Sequence, residues 1–193
     1  MRELAILSFV TLDGVMQAPM MPDEDRSGDF RHGGWAAPYY EDVMPRVRAE
    51  AMSQPYDMLF GRKTYETFAN HWPTVDINNP VAQMMNDATK YVASSTLTEL
   101  AWSNARLLDR DTVAAVEQLK RQTGPLLQVH GSWQLIQTLL AGNLIDEFRL
   151  WTFPVIVGRG KRIFDTGTIP VTVTLVETRP SPNGVVMNTY RRA

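Results

Sequence analysis

The sequence contains no cysteine. Disulfide bonds, thiolate nucleophiles and cysteine-ligated metal sites are therefore excluded. A surplus of either charge is also missing, because 19 Lys and Arg residues nearly balance 21 Asp and Glu residues and leave a net charge of −2. Such a chain lacks the basic footprint of proteins that bind nucleic acid or anionic membranes. We therefore expect neither nucleic acid nor a membrane as a partner.

Long hydrophobic runs are absent as well. No apolar stretch reaches the roughly 20 residues that a membrane-spanning helix needs. Thr11 and Asp13 interrupt the first apolar stretch, which is unlike a secretory signal peptide, and we expect a cytoplasmic protein. The 193 residues, 44% hydrophobic and 21% charged, suit one globular domain that covers residues 1–193.

Hydrophobic patterning predicts strands that alternate with helices up to about residue 142, and strands alone after that. Strands are predicted at 4–10, 56–60, 90–93, 105–108, 126–129, 147–157, 171–177 and 185–190. Helices are predicted at 38–53, after Gly61 up to Pro73, at 80–88, from Asp111 to Gly124, and from a Ser132 cap to Gly142. This order predicts an α/β fold with a central, mostly parallel sheet, an antiparallel C-terminal edge and helices on both faces.

Two segments fall outside this pattern of strands and helices. Residues 14–37 show no periodicity, and a stretch of that length is either a functional loop or a disordered one. Residues 157–161 (Val-Gly-Arg-Gly-Lys) look like a phosphate loop. They lack its spacing and lead into strands, which favours a tight turn.

His32, His71 and His130 share no metal-ligand spacing, and we predict no metal site.

Three predicted strands end in polar turns, and each turn is expected to lead into a helix. The turns are Gly61-Arg62-Lys63-Thr64, Ser94-Ser95-Thr96 and Gly131-Ser132. Ligands of open α/β sheets bind outside the carboxyl ends of the strands, and helix N-termini suit phosphate. The two cations favour a phosphorylated dinucleotide such as NADPH. In the alternative interpretation Ser95 and Ser132 only cap helices, and Arg62 and Lys63 are solvated surface.

Six short segments carry a resemblance to a known family. They are Thr11-Leu12-Asp13-Gly14, Phe60-Gly61-Arg62-Lys63-Thr64-Tyr65-Glu66, Val92-Ala93-Ser94-Ser95, Val129-His130-Gly131-Ser132, Leu144-Ile145-Asp146-Glu147 and residues 154–164. In this order they make the chain resemble the three-layer dihydrofolate reductase-like fold. Within that fold it is most similar to the branch that contains the C-terminal reductase domain of the bifunctional riboflavin-biosynthesis protein. Many reductases of this branch are dimers, so a homodimer is expected.

The resemblance implies a place for NADPH. It assigns the adenosine and phosphate end to the turn at Gly61, through Arg62, Lys63 and Thr64, and to Ser94 and Ser95. It assigns the pyrophosphate and nicotinamide side to a Gly-Gly turn, which here is His130-Gly131, followed by Ser132 and Trp133. The family's usual glycine is thus replaced by His130, whose side chain either crowds the dinucleotide, bonds to it, or packs in the interior.

The substrate side departs further from the family. Folate reductases carry a Trp-x-x-Pro-x-Asp/Glu pattern, but Tyr40 stands at the position of the acid after Trp35, and Glu41 comes one residue late. One residue turns a helix by about 100°, so we expect poor reduction of dihydrofolate. Asp13 and Tyr40 are the remaining candidates for proton donation, and Trp35 and Glu41 are candidates for substrate contact. Alternatively, Asp13 only shapes a turn, Tyr40 packs in the core and Trp35 anchors the loop.

The leading hypothesis is an NADPH-dependent oxidoreductase. It transfers a hydride to a small heterocyclic substrate, which is pterin-, pyrimidine- or flavin-precursor-like, or to a carbonyl substrate, and residues 14–37 close its pocket. The alternative is a non-catalytic protein that binds a nucleotide or small ligand on the same scaffold.

Overall fold

Eight strands form one sheet in the computed structural model of the protein, which describes residues 1–166 and 168–193. The strands are β1 (Leu4–Thr11), β2 (Tyr56–Gly61), β3 (Lys90–Ala93), β4 (Ala105–Leu107), β5 (Leu126–His130), β6 (Glu147–Phe153), β7 (Val173–Pro180) and β8 (Val186–Arg192). The helices are α1 (Tyr40–Ala51), α2 (Arg62–His71), α3 (Pro80–Asp87), α4 (Thr112–Arg121) and α5 (Trp133–Ala141). None of the described helices is both long and apolar enough to traverse a bilayer.

The strand order is β4-β3-β2-β5-β1-β6-β8-β7. The first six strands in this order run parallel, and β8 pairs antiparallel with both β6 and β7. The predicted mostly parallel sheet with an antiparallel C-terminal edge is therefore confirmed. Strands β1 and β2 lie inside this sheet and are covered on both faces, which is why nearly all their residues are apolar.

Helices cover both faces of the sheet, as predicted. On the α4–α5 face a single cluster joins Leu4, Ile6, Val129, Ile136 and Leu139. On the opposite α1–α3 face the apolar residues form two separate clusters. One lies under α1 and includes Trp35, Val43, Trp151 and Phe153, and the other lies under α2 and α3 and includes Phe60, Tyr65, Val81 and Met85. Buried polar residues of β5 and β6 lie between these two clusters, namely Gln128, His130, Glu147 and Arg149.

The loop between β1 and α1 is organised by Gln17, which is 4% exposed. Its Nε2 donates to the carbonyl oxygens of Asp25 (3.1 Å) and Ser27 (2.9 Å). Its Oε1 accepts the N–H of Lys161 at 3.1 Å, and its own carbonyl accepts Trp35 Nε1 at 2.8 Å. Three bonds of the buried side-chain amide and one of the backbone carbonyl thus hold this loop together and against the later turn at residues 157–162.

Three predicted boundaries were wrong. β6 ends at Phe153 instead of continuing to 157, because the chain then turns through Gly158 (φ 78°) and Gly160 (φ 121°). α1 begins at Tyr40, since residues 37–39 form one 3-10 turn. β7 covers 173–180 rather than 171–177, and it is exposed along its whole length. The predicted homodimer stays a prediction.

Candidate functional site

The connections from β2 and β5 leave the sheet in opposite directions. After β2 the chain enters α2 on the α1–α3 face and continues to β3, whereas after β5 it enters α5 on the other face and continues to β6. Because β2 and β5 are neighbours, the two connections part at the carboxyl ends of these strands, and we call this place the crevice. Ligands of open α/β sheets bind at such a reversal of direction.

Two side chains tie the walls of this crevice together. The N–H of Gly61 donates to Ser132 Oγ at 2.9 Å, and the N–H of Ser132 donates to Thr64 Oγ1 at 3.0 Å. Gly131 (φ 57°) and Ser132 (φ 51°) are both left-handed and turn the chain sharply from β5 into α5. Ser132 occupies the N-cap position of α5, as predicted, but its side chain does not cap the helix, because this turn points its hydroxyl at β2.

The helices that begin at the crevice lack the usual caps. Asn79 caps α3 by accepting two backbone N–H groups, and Asp111 caps α4 by accepting one. Among the described residues no side chain does this for α2 or α5. Backbone N–H groups in the first turns of these two helices are therefore free to bind an acceptor, and the helix dipoles favour an anion there.

Arg62 and Lys63 add positive charge to the first turn of α2. Both side chains are exposed. Arg62 pairs with Glu66 at 3.3 Å, but this ion pair joins side chains that are 45% and 42% exposed. Exposed pairs of this kind contribute little free energy, so the guanidinium can turn to a bound phosphate at low cost.

The Ser94-Ser95 turn lies beside the turn at Gly61, because Ala93 pairs with Gly61 in the sheet. The predicted helix after this turn was wrong. Ser94 Oγ accepts the N–H groups of Thr96 (3.2 Å) and Leu97 (3.0 Å) and bends the chain. Residues 94–104 then run as a loop, since Leu97, Leu100 and Trp102 pack into the cluster under α2 and α3.

Asp13 acts as a hydrogen-bond acceptor in the turn after β1. Its carboxylate accepts Thr11 Oγ1 at 2.6 Å and the N–H of Gly158 at 2.9 Å, and it pairs with Arg162 at 3.4 Å. Burial alone would raise the pKa of Asp13, but these hydrogen bonds and one from Val157 lower it below the ordinary value. Of the two alternatives open for Asp13, this geometry supports the shaping of a turn.

Tyr40, Glu41 and Trp35 are not brought together into one pocket. Tyr40 is 38% exposed, with its hydroxyl 3.3 Å from Arg48 Nη2, so it does not pack in the core. Glu41 is exposed on the first turn of α1. Trp35 is 7% exposed and packs edge-on against Phe153. With its hydrogen bond to the Gln17 carbonyl, this supports Trp35 as the anchor of the loop.

Trp133 and His130 lie on opposite faces of the sheet. Trp133, in the first turn of α5, donates its Nε1 to the carbonyl of Arg162 at 2.9 Å and so joins α5 to the 157–162 turn. His130 packs inward on the α1–α3 face and is 9% exposed. Burial, and secondarily the positive charge of Arg149, lower the pKa of His130 to about 4. The ring is therefore neutral at pH 7.

Sequence reasoning missed three polar residues near His130. Gln128 is fully buried on β5, Arg149 is 9% exposed on β6, and Glu50 reaches toward Arg149 from α1 at 3.5 Å. Burial raises the pKa of Glu50, which Arg149 opposes. The available signal was the order Leu-Leu-Gln-Val-His in β5. Alternate polar residues in an interior strand place two polar groups on one buried face.

The link between the two turns at the crevice can be tested by Thr64→Val. This change leaves the N–H of Ser132 without its acceptor, and we expect the free energy of unfolding to fall by about 1–2 kcal/mol. Thr67→Val on the same helix is the control, because the Thr67 hydroxyl is exposed and bonds only to the Lys63 carbonyl. Urea denaturation measures both variants, and equal stability of the two would contradict a role for Thr64 in joining the turns.

Comparisons with known proteins agree with this architecture. The model of the RibD C-terminal domain family matches residues 2–187. An uncharacterized protein of Bacillus subtilis (strain 168), YyaP, is 29% identical over 142 residues, which are 72% of this chain and 75% of YyaP. The crystal structure of a "Putative riboflavin biosynthesis protein" from Shewanella sp. PV-4 has a TM-score of 0.63 at 18% identity and covers 100% of this chain and 99% of its own. That likeness supports the fold, the family match confirms the resemblance inferred from the motifs, and this chain belongs to the RibD C-terminal domain family.

Proposed function

We propose that this protein is a reductase that binds NADPH along the carboxyl ends of β2, β3 and β5. The observation that carries the proposal is the pair of uncapped helix N-termini, α2 and α5, on the two walls of one crevice. Free backbone N–H groups on both walls suit the pyrophosphate of a dinucleotide. Arg62 and Lys63 suit its 2′-phosphate, since charge-assisted hydrogen bonds to phosphate are strong.

The proposed substrate is a small heterocycle, of the pterin, pyrimidine or flavin-precursor kind, or a carbonyl compound. When bound, the reduced nicotinamide supplies a hydride to the carbon of a C=N or C=O bond, and a proton is added to the nitrogen or oxygen. We propose that residues 14–37 close over this substrate and that Trp35 and Glu41 lie on its side of the crevice. Tyr40, whose exposed side chain ends in a hydroxyl group, is the better candidate than the ionised Asp13 for delivering that proton.

The test is NADPH binding, which is measured by the quenching of the fluorescence of the five tryptophans. Replacing both Arg62 and Lys63 by alanine should weaken NADPH binding by roughly 10–100-fold, because two charge-assisted contacts are lost. NADH lacks the 2′-phosphate, so its binding should change much less.

Arg121→Ala is the matched control for this double variant. Arg121 forms an exposed ion pair with Glu117 at 3.3 Å on α4, with the same four-residue spacing as Arg62 and Glu66. It lies at the C-terminal end of α4, just before the start of β5, whereas the crevice lies at the opposite, carboxyl end of β5. Unchanged NADPH binding in the double variant would refute the phosphate assignment. Failure of the wild type to bind NADPH at millimolar concentration would refute the reductase proposal.

A non-catalytic ligand-binding protein is the second candidate. It is favoured by one observation, which is that Asp13 is ionised and already holds the 157–162 turn, so this carboxylate has no proton to donate to a substrate. Binding of NADPH without its oxidation across a panel of pterin, pyrimidine and carbonyl compounds would select this function. Oxidation with any of them would select the reductase.

A further inference from the structure

A row of polar side chains interrupts the apolar layer on the α1–α3 face. Gln128 and His130 of β5 lie on this face together with Glu147 and Arg149 of β6, because Ala5 and Leu7 of β1 pair with both strands in the same register. All four polar residues are at most 9% exposed. Burial of polar groups costs free energy unless they are hydrogen-bonded. The hydrogen bonds within this row therefore determine which of its polar atoms remain free to bind a ligand.

Hydrogen bonds in the row run in one direction. Arg149 Nη1 donates to Gln128 Oε1 at 3.4 Å, and Gln128 Nε2 lies 2.9 Å from His130 Nε2. A guanidinium only donates, so it fixes the amide with its oxygen toward Arg149 and its NH2 group toward His130. The amide nitrogen also only donates, so His130 Nε2 must accept. The proton of the neutral ring therefore resides on Nδ1.

Ion pairs hold the start of this chain in place. Arg149 Nε donates to Glu147 at 2.5 Å, and Arg149 Nη1 lies 3.5 Å from Glu50 of α1. Glu147 in turn accepts Arg191 Nε at 2.8 Å. Carboxylates on two sides thus hold the Arg149 guanidinium in place. This also fixes the direction of the two hydrogen bonds from Arg149 to Gln128 and from Gln128 to His130.

The Nδ1–H of His130 has no hydrogen-bond partner among the described residues. The imidazole keeps a small solvent-accessible surface, since His130 is 9% exposed. Rings of Tyr56, Phe60 and Phe68 surround the imidazole at centroid distances of 5.7, 6.4 and 6.2 Å. His130 thus presents an uncharged donor in an aromatic setting, one residue before the crevice turn at Gly131.

We propose that His130 is a specificity-determining residue that donates its Nδ1–H to a carbonyl oxygen or bare ring nitrogen of a neutral heterocycle bound between α1 and α2. Gln128 and Arg149 are positioning residues that set its tautomer. This inference rests on the proposed function, which places the substrate at the crevice on the side of Trp35 and Glu41. A fixed donor favours an acceptor atom at that place and rejects an amino group, because two donors would face each other.

The first test reads the tautomer in the full chain without cofactor. Nitrogen-15 NMR of labelled histidine at pH 7 should show His130 neutral with its proton on Nδ1, assigned by comparison with His130→Phe. Gln128→Glu should move that proton to Nε2, because the new carboxylate accepts from both neighbours. A proton on Nε2 in the wild type, or a doubly protonated ring at pH 7, would overturn the proposal.

The second test compares two probes, lumazine and 2,4-diaminopteridine, in which amino groups replace both carbonyl oxygens. Lumazine should bind roughly 10-fold tighter or more, because one probe satisfies the donor and the other leaves it unpaired. His130→Phe should abolish this preference, and His71→Phe, at an exposed position on α2, should retain it. Equal binding of the two probes, an unchanged preference in His130→Phe, or no lumazine binding at millimolar concentration would each refute the role of His130.

Neither test uses NADPH, so the two proposals can fail separately. Loss of NADPH binding with the lumazine preference intact would refute the reductase and retain the donor at His130. The opposite result would retain the cofactor site and refute the donor.

Discussion

Replacing Arg2 by methionine should lower the free energy of unfolding by about 3–5 kcal/mol, because it leaves a buried carboxylate without its partner. Arg2 and Asp57 form an ion pair with side chains only 3% and 12% exposed. Arg2 also donates its Nε to the carbonyl of Pro125 at 2.8 Å, and its guanidinium lies 5.7 Å from the centre of the Tyr91 ring. One side chain thus connects β1, β2, β3 and the start of β5 at the amino edge of the sheet.

Urea denaturation of a double-mutant cycle separates the ion pair from the other contacts of Arg2. Combining Arg2→Met with Asp57→Leu should recover much of the lost stability, since an apolar pair leaves no buried charge. Arg26→Met is the matched control, because Arg26 and Asp23 form an ion pair with side chains that are 71% and 69% exposed. We expect it to change the free energy of unfolding by less than about 0.5 kcal/mol. A loss below about 1 kcal/mol in Arg2→Met would contradict the buried-pair account.

Lowering the pH from about 6.5 to 4 should destabilise the protein through His130. Its pKa is about 4 in the folded protein against the ordinary 6.5, because burial and the charge of Arg149 disfavour protonation. The unfolded chain therefore binds the extra proton first, and stability falls as the pH falls through this window. The shift corresponds to about 3 kcal/mol in total.

His130→Gln should flatten this dependence, and His71→Gln should leave it unchanged. Glu50 acts in the opposite direction, because its raised pKa makes protonation easier in the folded state. Asp13 and Asp25 have lowered pKa values, and the stability they contribute is lost only near and below their ordinary value of 3.8. Guanidinium denaturation at several pH values measures the slopes. Equal slopes in the wild type and His130→Gln would show that His130 is not the group responsible.

The sequence predicted the sheet well, because its central strands are short apolar runs followed by turn residues. It also placed the turns at Gly61, Ser94 and Gly131 at strand ends, where the structure has them. It failed where contacts distant in sequence decide the conformation. The hydroxyl of Ser132 bonds to Gly61, 71 residues away, and no local cap rule foresees that. Likewise, the loop after Ser94 forms because Trp102 packs under α2 and α3.

The candidate site was predicted as residue types, and its geometry was not. Arg62 and Lys63 follow from the motif, and Gly61 offers α2 no capping side chain. The absence of a cap on α5 appears only when the Ser132 hydroxyl is seen to bond to Gly61. The link from Arg149 through Gln128 to His130 joins β6 to β5 across β1. Register between parallel strands is set by the whole sheet, and it cannot be read from any one strand.

The central position of β1 has a consequence for how the chain folds. Residues 4–11 pair with residues 126–130 on one side and 147–153 on the other. Non-local pairings of this length close slowly, because the loop entropy is lost before the contacts form. During synthesis the first strand therefore stays unpaired until residues 126–130 have left the ribosome, and its second edge stays unpaired until residues 147–153 follow. A buried apolar strand such as β1 is a target for aggregation throughout that interval.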